Sequence, residues 1–218
     1  TMRPILIVVS VLLLLATARV GGAQPIQSRA ITSRMLPQGL VFRGDLVAAR
    51  EWTDRTGHNI LLLTRTPEFT SRGECGSSGP CRDREIYAYH YIQRAGGYSP
   101  LWTITDFVRE CDLDMAISFE PRSIAITDLD RDGVAETGFM YVLGCSGGVD
   151  PLTMKLIMHE GTTKYAIRGS GDLAAEIGPM GAGRMVVDAA LSGGPPVFRT
   201  FAVQQWKRFS RQVNWQLD

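Results

Sequence analysis

Along most of the chain after residue 39, hydrophobic and polar positions alternate with a period of two, the pattern of β-strands that bury one face. The alternation is clearest at 85–93, where three tyrosines occupy one face and mainly aliphatic residues the other. Candidate strands rich in β-branched and aromatic residues occur at 41–42, 46–51, 59–65, 85–93, 101–107, 115–119, 123–127, 137–143, 154–159 and 164–167. Turn residues at 54–57 and 160–163 predict antiparallel hairpins. The pattern therefore predicts a mainly β fold of antiparallel sheets, arranged as a sandwich or as part of a propeller.

The hydrophobic period changes near the C-terminus. After two prolines at 195–196, large apolar side chains recur with the i, i+3, i+4 spacing of one helix face, at Phe198, Phe201, Ala202, Trp206 and Phe209. Proline at the start and this aromatic stripe predict an amphipathic helix whose aromatic face packs on the core. The glycine-rich stretch 170–190 permits a short helix near 172–176 and a strand near 185–189, and the fold would be α+β if the whole stretch were helical.

The first two dozen residues have the organisation of a secretory signal peptide, with one basic residue, an apolar run at 5–16 and then small residues. The apolar run is shorter than the about 20 residues that a membrane span needs. We therefore predict a signal peptide at 1–23, cleaved after Ala23 or Ala18, with a retained membrane anchor as the alternative. The mature chain, 24–218, is expected to be a single domain without a membrane span, in the periplasm or outside the cell.

Charge argues against one class of partner. The chain has 23 basic and 22 acidic residues, which gives a net charge of +1, and both signs are spread along its length. It has no basic stripe of the kind that neutralises phosphates. Nucleic acid is therefore not expected as a partner.

Four cysteines follow the export signal, and an even number in an oxidising compartment favours disulfides over free thiols. Four cysteines allow three pairings. Cys75 and Cys81 flank a Gly-Ser-Ser-Gly-Pro loop that one bridge could close, which would leave Cys111 to pair with Cys145. A zinc site is disfavoured, because the spacing contains no paired C-x₂-C elements and histidine is scarce.

The stretch 128–136 reads Asp-Leu-Asp-Arg-Asp-Gly-Val-Ala-Glu and places four carboxylates at loop positions one, three, five and nine. Ca²⁺ takes six to eight oxygen ligands, and alternate aspartates with a peptide carbonyl at position seven can surround it. Gly133 permits a sharp turn. An EF-hand is excluded, because position twelve is Phe139 and the flanking segments have strand patterns. The spacing predicts a calcium-binding loop between two strands.

This loop resembles the calcium loops of FG-GAP and VCBS repeat proteins. The resemblance implies a set of side-chain ligands and one carbonyl ligand, namely Asp128, Asp130, Asp132 and Glu136 with the carbonyl of Val134. Such loops recur once per propeller blade in those proteins, whereas this sequence has a single copy. The resemblance therefore does not imply a full propeller.

A wider resemblance covers most of the mature chain. Carried by the segments 52–64, 101–107, 126–136 and 154–169, the sequence looks like a family of exported bacterial proteins known as surface polysaccharide biosynthesis proteins. The resemblance implies a role in the cell envelope, with surface polysaccharide or an envelope protein as partner. It implies no identified catalytic residues.

The three tyrosines of the 85–93 strand have two interpretations. Tyr87, Tyr89 and Tyr91 could form an aromatic platform for a sugar ligand, or they could cover a second core layer, which we favour. His90 shares the opposite face with isoleucines, where a packed and hydrogen-bonded histidine is commoner than a catalytic one.

Signals for catalysis are weak. The stretch 144–148, Gly-Cys-Ser-Gly-Gly, matches a G-x-S-x-G pattern, but a strand and not a helix is expected after it. Four acids that lie between candidate strands could form a glycosidase pair: Glu110, Asp112, Asp114 and Glu120. No nucleophile stands with a base at a motif-supported spacing. The sequence thus predicts an exported, calcium-binding β-domain with a binding or accessory role at surface polysaccharide; the alternative is a polysaccharide-active hydrolase or transferase.

Overall fold

A computed structural model describes residues 26–73, 80–212 and 215 of the chain. The expected signal peptide, 1–23, and Cys75 lie outside these residues. The strands are β1 (Ser28–Ala30), β2 (Asp45–Asp54), β3 (Gly57–Arg65), β4 (Phe69–Thr70), β5 (Arg82–Arg94), β6 (Gly97–Cys111), β7 (Asp114–Thr127), β8 (Glu136–Ser146), β9 (Thr153–Glu160), β10 (Thr163–Ser170) and β11 (Met185–Val187). The helices are α1 (Ala174–Ile177), α2 (Ala189–Gly193) and α3 (Pro196–Phe209), with 3₁₀ turns at Ser33–Met35 and Gly178–Gly181.

The strands form two open antiparallel sheets. The six-stranded sheet has the order β1-β2-β3-β5-β4, with β6 also paired to β5, and the five-stranded sheet has the order β11-β10-β9-β8-β7. The mainly β prediction is confirmed, and so is the C-terminal helix, α3. Within 170–190 the α-helix is limited to the four-residue α1 and the first two residues of α2, so the fold remains mainly β.

The core between the two sheets is made by the inward faces of their strands. The six-stranded sheet contributes Leu61 and Ile86, and the five-stranded sheet contributes Phe119, Phe139 and Ile157, each at most 4% exposed. This shared core makes the architecture sandwich-like. It follows from the period-two pattern, because each strand directs alternate side chains inward.

Each sheet also buries its outer face. On the five-stranded sheet, α3 covers the outward side chains with Phe198, Ala202 and Trp206, as the helical spacing predicts. On the six-stranded sheet, the segment 31–46 covers the outward face of β3 and β5. The described residues therefore form three apolar layers, one between the sheets and one outside each.

Covalent and polar contacts join the two sheets. Cys111 at the end of β6 forms a disulfide with Cys145 in β8, which confirms this predicted pair. Asp106 in β6 accepts hydrogen bonds from Tyr141 in β8 at 2.9 Å and from Lys155 in β9 at 2.5 Å. The relative position of the sheets is thus fixed at two places along β6.

Two strand predictions differ from the structure. The candidate strand at 41–42 is not a strand; it belongs to the covering segment, where Val41 is 83% exposed. The candidates 115–119 and 123–127 belong to one strand, β7, whose pairing with β8 shifts in register between Glu120 and Ala125. A register shift of this kind leaves the residues on both sides of it in strand conformation. The period-two alternation of the sequence therefore cannot reveal it.

Candidate metal centre

The acidic loop connects β7 to β8 at one end of the sandwich. Its backbone turns with φ of +63° at Arg131 and +84° at Gly133. Loop amides donate to loop carboxylates: Gly133 N to Asp128 Oδ1 at 3.3 Å, and Val134 N to Asp132 Oδ1 at 2.7 Å. These contacts curl the loop around its own acids, as Asp side chains commonly do in turns.

Five carboxylates converge at this loop and form two overlapping groups. Oxygens of Asp128, Asp130 and Glu136 all lie within 4.8 Å of one another, and so do oxygens of Asp130, Asp132 and Glu160. Asp130 belongs to both groups. The four acids predicted from the sequence are therefore brought together, and a fifth joins them.

Glu160 is the residue that the sequence reasoning missed. It ends β9, and the register between β8 and β9 places it directly opposite Glu136. The hairpin formed by β9 and β10 was predicted, but its pairing with β8 was not. The sequence feature that could have identified Glu160 is its position: it is an acidic residue at the end of the strand that follows β8, just before the next turn.

Glu136 is the most buried of the five acids. It is 0% exposed, and its carboxylate accepts hydrogen bonds from Leu129 N at 3.0 and 3.1 Å and from Thr127 Oγ1 at 2.8 Å. Burial raises the pKa of Glu136, with a smaller contribution in the same direction from Asp130. Its carboxylate is therefore oriented by the loop that it faces.

The raised pKa of Glu160 shows that bringing these carboxylates together disfavours their ionised forms. Burial, and then the negative charges of Asp130, Asp132 and Glu136, raise the pKa of Glu160 to about 7. Its Oε1 is buried and has no hydrogen-bond partner among the described residues. A cation would favour the ionised form of every carboxylate here, because an opposite charge at close range lowers a carboxyl pKa.

The six-stranded sheet contacts the loop through the β2–β3 turn. Asp54 Oδ2 accepts a hydrogen bond from Ala135 N at 3.1 Å, and Arg55 N donates to Gly133 O at 2.9 Å. The Arg55 guanidinium lies 3.2 Å from Asp132. The loop thus contacts both sheets, and its conformation affects how the two sheets are held together.

The other predicted site residues lie elsewhere. Tyr87, Tyr89 and Tyr91 are 5%, 7% and 4% exposed, beneath the covering segment 31–46. Tyr89 Oη accepts from Arg43 N at 3.0 Å, and the Tyr91 hydroxyl donates to Val41 O. The rings are therefore part of the outer core layer in this structure, which was the favoured interpretation, and present no exposed platform to a sugar.

The weak catalytic signals gain no support from the described residues. Ser146 Oγ donates to Asp150 Oδ2 at 2.6 Å and contacts no histidine there. Glu120 is buried and pairs with Arg122. Cys81 is buried, and Cys75 lies outside the described residues, so the Cys75–Cys81 bridge stays a prediction.

No protein-family model matches this chain, and neither a curated protein nor a solved structure is similar to it at a significant level. Among the described residues, no helix has the length and apolar character needed to cross a membrane. The acidic cluster at the β7–β8 loop is the best-defined candidate site among the described residues, and its carboxylates could hold a metal ion.

Proposed function

We propose that this chain is an exported calcium-binding β-domain of the bacterial cell envelope, in which Ca²⁺ has a structural role. The observation that supports it is the convergence of five carboxylates on one short loop. Hard oxygen donors without any nitrogen or sulfur ligand suit Ca²⁺ better than a transition metal. The proposed ligands are Asp128, Asp130, Asp132, Glu136 and the carbonyl of Val134, with Glu160 as an additional carboxylate.

The structural role follows from where the loop lies. Without a cation, the mutual repulsion of the acids opposes closure of the loop. With a cation, the loop is held closed between β7 and β8, and the β2–β3 turn docks on it through Asp54 and Arg55. Calcium binding is therefore expected to stabilise the joint between the sheets.

An exported location and a binding or accessory role at surface polysaccharide belong to the same proposal. They are supported by the signal-like sequence at 1–23, by the resemblance described above and by the Cys111–Cys145 disulfide, a bond typical of oxidising compartments. N-terminal sequencing of the protein from a periplasmic fraction checks export. Recovery of the intact N-terminus in the cytoplasm would contradict it.

The metal proposal is tested by calorimetric titration with Ca²⁺ and by thermal melting with Ca²⁺ or chelator. A free Ca²⁺ concentration of about 100 times Kd should add about 2.7 kcal/mol to the free energy of unfolding. Asp130→Asn should remove this gain, because Asp130 belongs to both carboxylate groups. Its melting temperature in chelator should equal or exceed that of the wild type, since one repelling charge is gone.

Asp114→Asn is the matched control, because Asp114 is exposed and lies outside both carboxylate groups. It should keep the full calcium response. No heat of binding together with an unchanged melting temperature on chelation would show that the loop is an ordinary acidic turn.

A further inference from the structure

A cavity of about 270 Å³ lies beside the metal loop, in the same end of the sandwich. Its walls are largely apolar and come from both sheets: Ile92 and Leu101 from β5 and β6, and Val134 and Ala135 from the loop. Two polar side chains of β5 also line it, the buried His90 and the exposed Arg94. Pockets that bind small molecules commonly combine apolar walls with a few placed polar groups in this way.

His90 has a fixed tautomer. Its Nε2 lies 2.9 Å from Asn59 Oδ1, while Asn59 Nδ2 donates to Asp54 Oδ1 at 3.1 Å and to Gly57 O at 2.8 Å. Asn59 Nδ2 also donates to Thr56 Oγ1 at 3.4 Å. Because all three partners of the Asn59 amide nitrogen accept, its oxygen must face His90, and His90 Nε2 must be the donor. The other ring nitrogen, Nδ1, therefore carries a lone pair.

That lone pair has no partner among the described residues. His90 is 4% exposed, and its Nδ1 is buried without a hydrogen bond. Burial lowers the pKa of His90 to about 4, so the ring is neutral near pH 7. The Nε2 edge is occupied by Asn59, and the ring also contacts Trp52 and Trp102. The Nδ1 edge is what His90 can offer to a cavity occupant, and leaving a buried acceptor unpaired costs free energy.

Three groups on β5 form an ordered row. His90, Ile92 and Arg94 lie on one face of the strand, at intervals of about 6.6 Å for each two residues. The row presents an acceptor, an apolar side chain and a cation. Arg94 takes part in none of the ion pairs and hydrogen bonds found among the described side chains.

A β-bulge in the neighbouring strand, β6, shapes the wall next to Ile92. His90 pairs with Trp102 and Tyr91 pairs with Pro100, so Leu101 is an extra residue in β6 without a partner in β5. An extra residue re-aims neighbouring side chains, and here Leu101 and Trp102 both approach the inner region of the sandwich. The bulge thus adds the apolar side chain of Leu101 to the cavity wall beside Ile92.

We propose that this cavity binds a small amphipathic carboxylate that carries a hydroxyl group at the end opposite its charge. The hydroxyl donates to His90 Nδ1, the apolar body packs against Ile92 and Leu101, and the carboxylate pairs with Arg94 at the rim. Asp54 also lines the cavity, and its oxygens accept five hydrogen bonds from protein donors. His90, Ile92, Leu101 and Arg94 are not proposed calcium ligands, whereas Val134, which also lines the cavity, is one, so the two proposed sites share a wall.

The test uses the mature chain labelled with ¹⁵N-histidine, which has only three histidines to assign. The probe is 3-(4-hydroxyphenyl)propionate, with two matched compounds, 3-phenylpropionate without the hydroxyl and 4-ethylphenol without the carboxylate. We expect saturable binding of the probe and a shift of the His90 Nδ1 resonance as it accepts a hydrogen bond. Removal of the hydroxyl should weaken binding about 10-fold, since His90 Nδ1 is again unpaired.

Arg94→Gln separates the rim contact from the buried one. It should weaken binding of the probe about 5-fold and leave 4-ethylphenol unchanged, because an exposed charge pair contributes modestly. Arg199→Gln, on the exposed side of α3, is the control and should change neither affinity.

Three results would overturn the proposal: no saturation at millimolar probe, equal affinity for all three compounds, or shifts confined to His58 and His159. The titration is repeated in chelator with the Asp130→Asn variant. Binding that persists there supports the cavity site even if the calcium proposal fails, whereas calcium binding without probe binding refutes the cavity site alone.

Discussion

At the scale of single residues, the chemistry of this protein depends on ionisable side chains whose charged form is unfavourable in their surroundings. Glu160 is the clearest case, because burial and three neighbouring carboxylates raise its pKa to about 7. The residue that the sequence did not identify is therefore the one on which the assembled acids act most strongly.

Glu160→Gln should have opposite effects with and without calcium. In chelator it removes one charge from a repelling cluster and should raise the melting temperature by about 2–4 °C, the equivalent of about 1 kcal/mol. With calcium it removes a proposed ligand and should weaken affinity about 10-fold. Differential scanning calorimetry and calcium titration measure the two effects, and Asp114→Asn should show neither.

His90 makes stability depend on pH through burial. Its pKa falls to about 4 in the folded protein, whereas the unfolded chain takes up the proton near pH 6.5. Above pH 6.5 neither state is protonated, so the contribution of His90 is complete there. As pH falls from 6.5 to about 4, only the unfolded state gains the proton, and stability should fall by up to about 3 kcal/mol.

Urea unfolding in chelator at several pH values tests this dependence. His90→Gln should lower stability at pH 7 but make the loss with acid less steep. Some slope should remain, because burial also lowers the pKa of His159, to about 3. An identical slope in the variant would show that His90 does not contribute.

At the scale of elements, the β2–β3 turn and the acidic loop at 128–136 behave as one unit. Asp54 accepts bonds from its own turn and from Ala135 of the loop; burial raises its pKa, but these hydrogen bonds lower it by more, so the net shift is downward. The opposing contribution of burial is the largest single one, but the hydrogen bonds outweigh it. This carboxylate therefore ties one hairpin of the six-stranded sheet to a loop of the other sheet.

Asp54→Asn should cost about 2 kcal/mol of stability, since an amide cannot accept all the hydrogen bonds that a carboxylate accepts. It should also weaken calcium binding, because the loop loses its anchor at Ala135. Asp45→Asn, an exposed acid at the start of β2, should change stability by less than about 0.5 kcal/mol. Urea unfolding and calcium titration of both variants give the comparison. Equal behaviour of the two would contradict the anchoring role.

Helix α3 provides a second test at this scale. Phe198 is 0% exposed and stacks edge-on against Tyr165, whereas its neighbour Val197 is 37% exposed. Phe198→Ala should therefore destabilise by about 3–5 kcal/mol, and Val197→Ala by no more than about 0.5 kcal/mol. Chemical denaturation measures both, and similar losses would mean that α3 does not pack as described.

At the scale of the whole molecule, the Cys111–Cys145 disulfide connects the two sheets across 34 residues of sequence. A bridge of this span stabilises mainly by restricting the unfolded chain, by about 3–4 kcal/mol. Replacing both cysteines by serine should remove that amount, as measured by urea unfolding. A double variant at Cys75 and Cys81 is the control, because it leaves the joint between the sheets intact and should cost less.

Secondary structure, and the residues that share one face of it, were predictable from sequence wherever they depend on the periodicity of a short segment. The alternation at 85–93 determined which side chains of β5 share a face, and the i, i+3, i+4 stripe determined α3. The alternate aspartates at 128–136 likewise determined that acids converge in the loop. In each case residues two to nine positions apart carry the information, because backbone geometry alone brings them together.

Only the tertiary structure decided which faces and strands meet. Pairing of β8 with β9 brings Glu160 to the acidic loop at 128–136, although Glu160 lies 24 positions after Glu136 in the sequence. The segment 31–46 buries the tyrosines that could otherwise have formed a platform. The Asp54–Asn59–His90 chain likewise requires β3 to pair with β5. Strand partners are chosen by the summed burial and hydrogen bonding of whole faces, and no local pattern of residues encodes that sum.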